Sequence, residues 1–349
     1  MDHKRKLHIC FVGPMLGRHP GWVPNPSEYL APRLEERGYQ CSLVSNKLNR
    51  YHRLVDILAI IWRQRKQFDI ICLQVYGGPS FVVEDAASWF ARRLGLPVLM
   101  TLRGGELPVF FQRFPAWTRR VLRRAHMIVT PSGFLSQTAS QYGLQARIIP
   151  NAIEIENYPF RLRSVVQPHL LWMRTFHEIY NPLLAVEAFS QVKRTYPHAR
   201  LTMGGQEKGL LGIVRQRVHE AGLDDSVRFV GFLQIDDKKR EFAGHDIFLN
   251  TNRVDNMPVS IVEAAAFGMP IVATSVGGVP YLLQDGENGV LVPDEDAKAM
   301  ADAVRRVLEE PGLAERLSRN ARKLGEQHDW SVVVPQWESL FHKMMEFQV

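Results

Sequence analysis

Residues Phe248–Pro270 read FLNTNRVDNMPVSIVEAAAFGMP. A strand ends near Asn250, a polar loop follows, and a helix begins at about Pro258. This is the β–loop–α unit of an open parallel sheet. Such sheets bind ligands beyond the carboxyl ends of their strands, where loops feed helix N-termini. The amides of Val259 and Ser260, just past Pro258, have no intrahelical acceptor there. With the helix dipole behind them they suit a diphosphate.

Outward from this stretch, β-rich runs alternate with amphipathic helical segments in both halves, which predicts parallel sheets with crossover helices. In the first half the strands are expected at 7–12, 40–44, 69–74, 97–101, 127–130 and 146–149. In the second they are expected at 169–173, 200–203, 227–230, 246–250, 270–273 and 289–292. The fold class is therefore α/β, with two doubly wound Rossmann-like domains. The periodicity lapses and prolines recur over 150–167, which places the domains at 1–160 and 161–330. At 25–38, Asn25 is a good N-cap, Pro26 fits the first helical position and Glu28 can complete a capping box. Leu30 and Leu34 then give an apolar stripe, and Gly38 a stop. Residues 331–349 read as an amphipathic helix whose Trp337 and Phe341 dock it against a lobe.

A chain of 349 residues fits two domains of common size. With 46% hydrophobic and 23% charged residues it is globular, neither disordered nor fibrous. No apolar window is long enough to span a bilayer. Lys4-Arg5-Lys6 before an apolar run imitates a signal peptide, but Gly13 and Pro14 interrupt the run, and a first strand is the better reading. Cys10, Cys41 and Cys72 match neither a zinc site nor a disulfide framework, and read as buried free thiols of a cytoplasmic protein. The net charge of +7 hides an asymmetry. Residues 1–165 hold 23 Lys+Arg against 11 Asp+Glu, a balance of +12; residues 166–349 hold 20 against 25, a balance of −5. A basic lobe can attract a pyrophosphate-linked acceptor or the anionic face of a membrane, and the same charges equally fit a solvated set of helix faces. Nucleic acid is disfavoured, because no helix-turn-helix, zinc-finger or RNP-like pattern accompanies the charge.

Two carboxylates stand out. Asp255 precedes the helix terminus, and Glu263 lies about a turn and a half inside the helix. One can meet the sugar end of a ligand and the other its ribose hydroxyls. Asp255 also fits a plain cap and Glu263 a surface residue. Yet Val262 and Ala264–Ala266 flank Glu263, which argues against a solvated face.

These residues resemble the retaining GT-B glycosyltransferases of family 4, whose signature is two acids separated by seven residues, then small residues, Gly and Pro. The likeness runs through IPNAIEI at 149–155, LTMGG at 201–205, VRFVGFL at 227–233 and PIVATSVGGVPYLLQDGENGVLVP at 270–293. It implies two lobes facing across a cleft, with the donor held by the second. By position, Glu263 would bind the donor ribose and Asp255 would contact the transferred sugar. Asn256 and the backbone of Met257, Pro258, Val259 and Ser260 would cradle sugar hydroxyls and phosphate. Arg174, in LLWMRTF, matches the family's phosphate-binding arginine. The chain departs from the pattern twice: the family usually has Glu at the Asp255 position, and Tyr180 stands where a lysine is expected. Another cation such as Arg253 would then have to balance the leaving diphosphate.

In the first lobe, Gly21 is the nearest match to a glycine of the loop that closes over the donor phosphates. Arg103, Gly104 and Gly105 occupy the family's His-Gly place, where two glycines permit close backbone approach and the arginine can meet phosphate. No metal is implied, since His177 and Glu178 are adjacent and no His/Asp cluster exists. No cofactor is expected beyond the nucleotide-sugar substrate.

The expected function is transfer, with retention, of a hexose-type sugar from a UDP- or GDP-sugar to a glycan or lipid-linked acceptor in polysaccharide or glycoconjugate synthesis. The expected location is cytoplasmic, with peripheral contact at the membrane through the basic lobe. Two rival readings are a nucleotide-sugar epimerase of the same fold and a nucleotide-binding interaction protein that has lost turnover. A dinucleotide oxidoreductase is weaker, because no G-x-G-x-x-G follows the first strand.

Overall fold

The computed structural model describes residues 6–19, 22 and 24–346. The chain divides into two compact units, Met1–Asn151 with Ser331–Val349, and Ala152–Trp330.

In the first unit, strands β1 (His8–Val12), β2 (Gln40–Val44), β3 (Ile70–Val75), β4 (Val98–Leu102), β5 (Met127–Thr130) and β6 (Ala146–Ile148) form one parallel sheet ordered β2-β1-β3-β4-β5-β6. Helices α1 (Pro26–Glu36), α2 (Arg50–Gln64), α3 (Phe81–Arg93), α4 (Leu107–Arg113), α5 (Pro115–Leu122) and α6 (Gly133–Ser140) carry the crossovers. Every residue of β3 and β4 is buried. Helices cover both faces of such a sheet, which is why these strands read as unbroken apolar runs. Helix α1 begins as its sequence predicts. The Asn25 side chain accepts from the Ser27 amide at 3.0 Å, and Glu28 accepts from the Asn25 amide at 2.7 Å. Leu30 and Leu34 are buried, and Gly38 follows with a φ of +93°, which a side chain would strain.

In the second unit, β7 (His169–Met173), β8 (Arg200–Gly204), β9 (Val227–Gly231), β10 (Ile247–Asn250), β11 (Ile271–Thr274) and β12 (Val290–Val292) form a parallel sheet ordered β12-β11-β10-β7-β8-β9. Its helices are α7 (Pro182–Thr195), α8 (Leu211–Glu220), α9 (Ile235–Gly244), α10 (Val259–Ala266), α11 (Val279–Leu282), α12 (Ala297–Glu309) and α13 (Leu313–Gln327). Alternate β7 residues serve different cores. Leu170 and Trp172 pack with Phe189 and Val304, while Leu171 and Met173 pack with Phe248 and Ala264. The chain winds one way from β7 to β9, then returns to β10 on the other side of β7 and winds away. The carboxyl ends of β7 and β10 thus flank the topological switch point, where open α/β sheets take their ligands.

All twelve expected strands are present, each end within one residue of its predicted position. The last helix, α14 (Trp330–Glu346), carries Ser331 onward with the first unit. Trp337 and Phe341 are buried, the Phe341 ring lies 6.1 Å from that of Tyr39, and Glu338 pairs with Arg37 at 2.8 Å. All three cysteines are free; Cys10 and Cys72 are buried and Cys41 is half-buried.

Candidate functional site

The site begins with how α10 is held. Its run Val259–Ala266 is buried except at Val259, and its small side chains let α13 approach closely. A Cβ on Gly325 of α13 would lie 2.7 Å from the Ala266 Cα, so only glycine fits there. Two arginines close the far end of α10. Arg322 donates to the Ala266 carbonyl at 2.8 Å and Arg163 to the Phe267 carbonyl at 2.5 Å. These cations complement the negative end of the helix and leave the positive end at the switch point. There Pro258 is the N-cap and offers no capping side chain. The amides of Val259 and Ser260 have no partner among the described residues.

The loop between β10 and α10 is fixed by contacts of its own. The Thr251 hydroxyl accepts from the Trp172 indole at 2.8 Å and donates to the Tyr180 carbonyl at 2.7 Å. The Thr274 hydroxyl donates to the Asn252 carbonyl at 2.5 Å. A Cβ on Gly277 would overlap the Asp255 carbonyl oxygen, and one on Gly278 the Asn256 carbonyl oxygen. Two successive glycines therefore let the β11–α11 turn press against the acidic loop.

Arg174, directly after β7, forms an ion pair with Asp255 across the switch point. Asp255 also accepts from the Asn252 side chain at 2.8 Å and the Met257 amide at 3.1 Å, and its side chain is 12% exposed. Burial pushes its carboxyl above the usual carboxylate range, against the opposing pull of Arg174 and the Met257 and Asn256 amides. Tyr180 serves Arg174 with its ring face, 4.1 Å beneath the guanidinium carbon. Arg253, the substitute cation considered from sequence, is engaged by Glu295 at 2.9 Å and Glu178 at 3.6 Å.

Glu263 is buried within α10. Its Oε1 accepts from Lys238 of α9 at 2.7 Å and from the Tyr158 hydroxyl at 3.0 Å. Its Oε2 has no partner among the described residues. Sequence reasoning missed Lys238 and Tyr158. Lys238 sits in the charged run IDDKKREFAG, which reads as a solvated helix face, and Tyr158 lies 105 residues from its partner.

Eight buried side-chain polar atoms lack a hydrogen-bond partner among the described residues, and five cluster here: Arg174 Nε, Asn250 Nδ2, Asn252 Oδ1, Arg253 Nε and Ser260 Oγ. Buried polar groups are almost always satisfied in folded proteins. Such a concentration leaves donors and acceptors that a polar ligand could satisfy. Asn256, Met257 and Pro258 are buried beside it.

The first unit presents a second set of residues. Arg103 donates to Gln74 Oε1 at 3.0 Å and to Asn151 Oδ1 at 2.8 Å. Both acceptors are neutral, so its charge remains available to an anion. Gly104 and Gly105 follow in the turn before α4. Gly21 lies outside the described residues. No group of His, Cys, Asp and Glu suited to a metal occurs among the described residues. A cavity of about 790 Å³ opens in the second unit, lined by Arg200, Arg228 and His245. It sits at the amino ends of β7, β8 and β9, the opposite edge from the switch point.

Residues 157–324 match the family described as Glycosyl transferases group 1, and residues 27–157 match Glycosyltransferase Family 4. A glycogen synthase of Mycobacterium tuberculosis is 28% identical over 224 residues, covering 61% of this chain and 53% of that one. The chain thus spans about half the length of that curated relative. Among solved structures, the sucrose-phosphate synthase of Thermosynechococcus elongatus superposes with a TM-score of 0.79 at 17% identity, over 98% of this chain and 100% of that one. The Anabaena protein HepE, solved with UDP and glucose, superposes with a TM-score of 0.74 at 18% identity, over 97% and 100%. The shared fold is GT-B, with two Rossmann-like domains.

Proposed function

Because the chain belongs to the family 4 glycosyltransferases, glycosyl transferases group 1, we propose that it moves a hexose-type sugar, with retention, from a UDP- or GDP-sugar to a glycan or lipid-linked acceptor. The observation that carries this reading is the cluster of unsatisfied buried polar atoms at the β7–β10 switch point, beside the bare amides of α10. A nucleoside diphosphate supplies what that cluster lacks. Its phosphate oxygens accept from the Val259 and Ser260 amides and from Arg174, and its ribose hydroxyls donate to the open oxygen of Glu263. Lys238 provides a further cation on the same side. Asp255 faces the transferred sugar and holds Arg174 in place.

As the glycosidic bond breaks, charge builds on the leaving diphosphate. Fixed donors stabilise it with little reorganisation. The diphosphate oxygen then takes the proton of the attacking acceptor hydroxyl, so the reaction needs no enzymic nucleophile. The basic first unit, with Arg103 held by neutral amides, suits an acceptor that carries phosphate. Polysaccharide or glycoconjugate synthesis is the process such chemistry serves.

A thermal-shift screen of nucleoside diphosphates and nucleotide sugars tests this. A true ligand at one hundred times its dissociation constant adds about 2.7 kcal/mol of stability. UDP or GDP should raise the melting temperature by several degrees while the free bases do not. Donor consumption only when an acceptor is added separates transfer from epimerisation. A flat response to every nucleotide would overturn the proposal.

A further inference from the structure

Helix α2 carries two apolar stripes, and only one is used. Ile57 and Ile61 are buried against the first unit's sheet. On a different side, Tyr51, Val55, Leu58 and Trp62 recur at i, i+4, i+7 and i+11, the spacing of a single helix face. Tyr51 is 74% exposed, Val55 68% and Trp62 50%, and Leu48, just before the helix, is exposed as well. Helix α3 extends this surface. The Trp62 ring lies 6.2 Å from that of Phe90, and Val82 and Trp89 of α3 are also exposed. Single exposed apolar residues are ordinary; a contiguous face of aromatic and aliphatic groups on two adjacent helices is not.

The charge around this face is one-sided. Residues 46–68 contain Lys47, Arg50, Arg53, Arg63, Arg65 and Lys66 against the single acid Asp56. Asp56 is turned aside, accepting from the Ser45 hydroxyl. Arg92 and Arg93 end α3 beside the patch. Two arginines lie over the exposed indoles: Arg65 is 4.1 Å from the Trp62 ring centre and Arg93 is 5.6 Å from that of Trp89. Tryptophan with a paired cation is the residue set of a membrane interface, where the ring enters the headgroup layer and the cation stays at the phosphates. No helix among the described residues is long and apolar enough to cross a bilayer.

We propose that the outer face of α2, with the adjoining end of α3, seats the first unit on an anionic lipid bilayer. The helices would lie in the plane of the interface, with Tyr51, Val55 and Trp62 among the acyl ends of the headgroups and the Arg/Lys rim on lipid phosphate. The proposal does not depend on the sugar-transfer reading, because binding to lipid requires no donor.

Flotation with phosphatidylcholine vesicles, and with vesicles containing about one-third phosphatidylglycerol, tests it. The 349-residue chain is expected to float with the anionic vesicles and not with the neutral ones. Raising the salt from about 0.05 M to 0.5 M should weaken binding severalfold, because the screening length shortens. The variant Val55→Asp/Trp62→Ala should cut the bound fraction roughly tenfold, since it removes two anchors. Circular dichroism and a cooperative thermal transition close to that of the wild type confirm that the variant is folded. Arg63→Glu/Lys66→Glu, on exposed rim positions, should abolish the preference for anionic vesicles. Failure of the wild-type chain to bind anionic vesicles at low salt would overturn the proposal. So would undiminished binding by both variants, or self-association through this face that the first variant abolishes without any lipid binding.

Discussion

Replacing Lys238 with Met removes the ammonium from Glu263 while keeping an apolar stem of similar length. The pair is 2.7 Å long, with side chains 22% and 9% exposed. That places it between exposed pairs, worth about 0–1 kcal/mol, and buried pairs, where losing one partner costs about 3–5 kcal/mol. With Tyr158 still donating to the same oxygen, a loss of about 1–2 kcal/mol is expected. For a unit of this size that corresponds to a melting temperature lower by roughly 2–8 °C. The functional effect follows the geometry. Without Lys238, Glu263 Oε1 is left to the Tyr158 hydroxyl and the side chain is less firmly positioned, so the nucleoside diphosphate should bind several-fold more weakly. Thermal denaturation with and without whichever of UDP and GDP binds the wild type, run on Lys238→Met, Glu263→Gln and the double variant, reads both effects. A coupling of about 0.5–3 kcal/mol marks a working pair. Double-variant losses equal to the sum of the singles, in both stability and affinity, would refute the reasoning.

Further outcomes follow from the same geometry. Gly278→Ala forces a Cβ onto the Asn256 carbonyl, so the acidic loop must move; stability should fall by roughly 1–3 kcal/mol and nucleotide binding with it, measured by denaturation and titration. Asp255→Asn should lower turnover about 10²-fold or more with smaller change in donor affinity, and full activity would remove Asp255 from the site. Glu84 of α3 is buried, its Oε2 has no partner among the described residues, and burial pushes its carboxyl up to about 8. Between its ordinary range and pH 8 the unfolded chain releases this proton and the native chain keeps it, so stability falls as pH rises, by at most about 1.4 kcal/mol per unit. Glu84→Gln should flatten that decline in denaturation curves at pH 5, 6.5 and 8, and an unchanged slope would count against it.

The twelve strands were legible because each is a short apolar run between turn signals, buried on both faces of a parallel sheet. The α1 capping box was legible for the same reason of locality: Asn25 and Glu28 are three residues apart and satisfy each other's amides. Within the site, Asp255 could be picked out because it stands just before the α10 terminus, and Arg174 because it matches the family's arginine just after β7. What could not be read is the contact between distant segments. Lys238 reaches Glu263 from a helix whose charges look solvated, and Tyr158 reaches it across 105 residues. Tyr180 was noticed as a substitution for lysine, but only coordinates show its ring beneath Arg174. The crowding of Gly277 and Gly278 against the acidic loop is likewise a packing fact, invisible to a motif that records only small residues.

The most direct measurement is a calorimetric titration of UDP and GDP into the wild-type chain and into Arg174→Ala. One of the two nucleotides should bind the wild type with one-to-one stoichiometry, and Arg174→Ala should bind it at least tenfold more weakly, the loss of a charge-assisted contact worth about 1.5–3 kcal/mol. Equal affinity in the two proteins, or no heat from either nucleotide in the wild type, would contradict the assignment of the β7–β10 switch point as the nucleotide site.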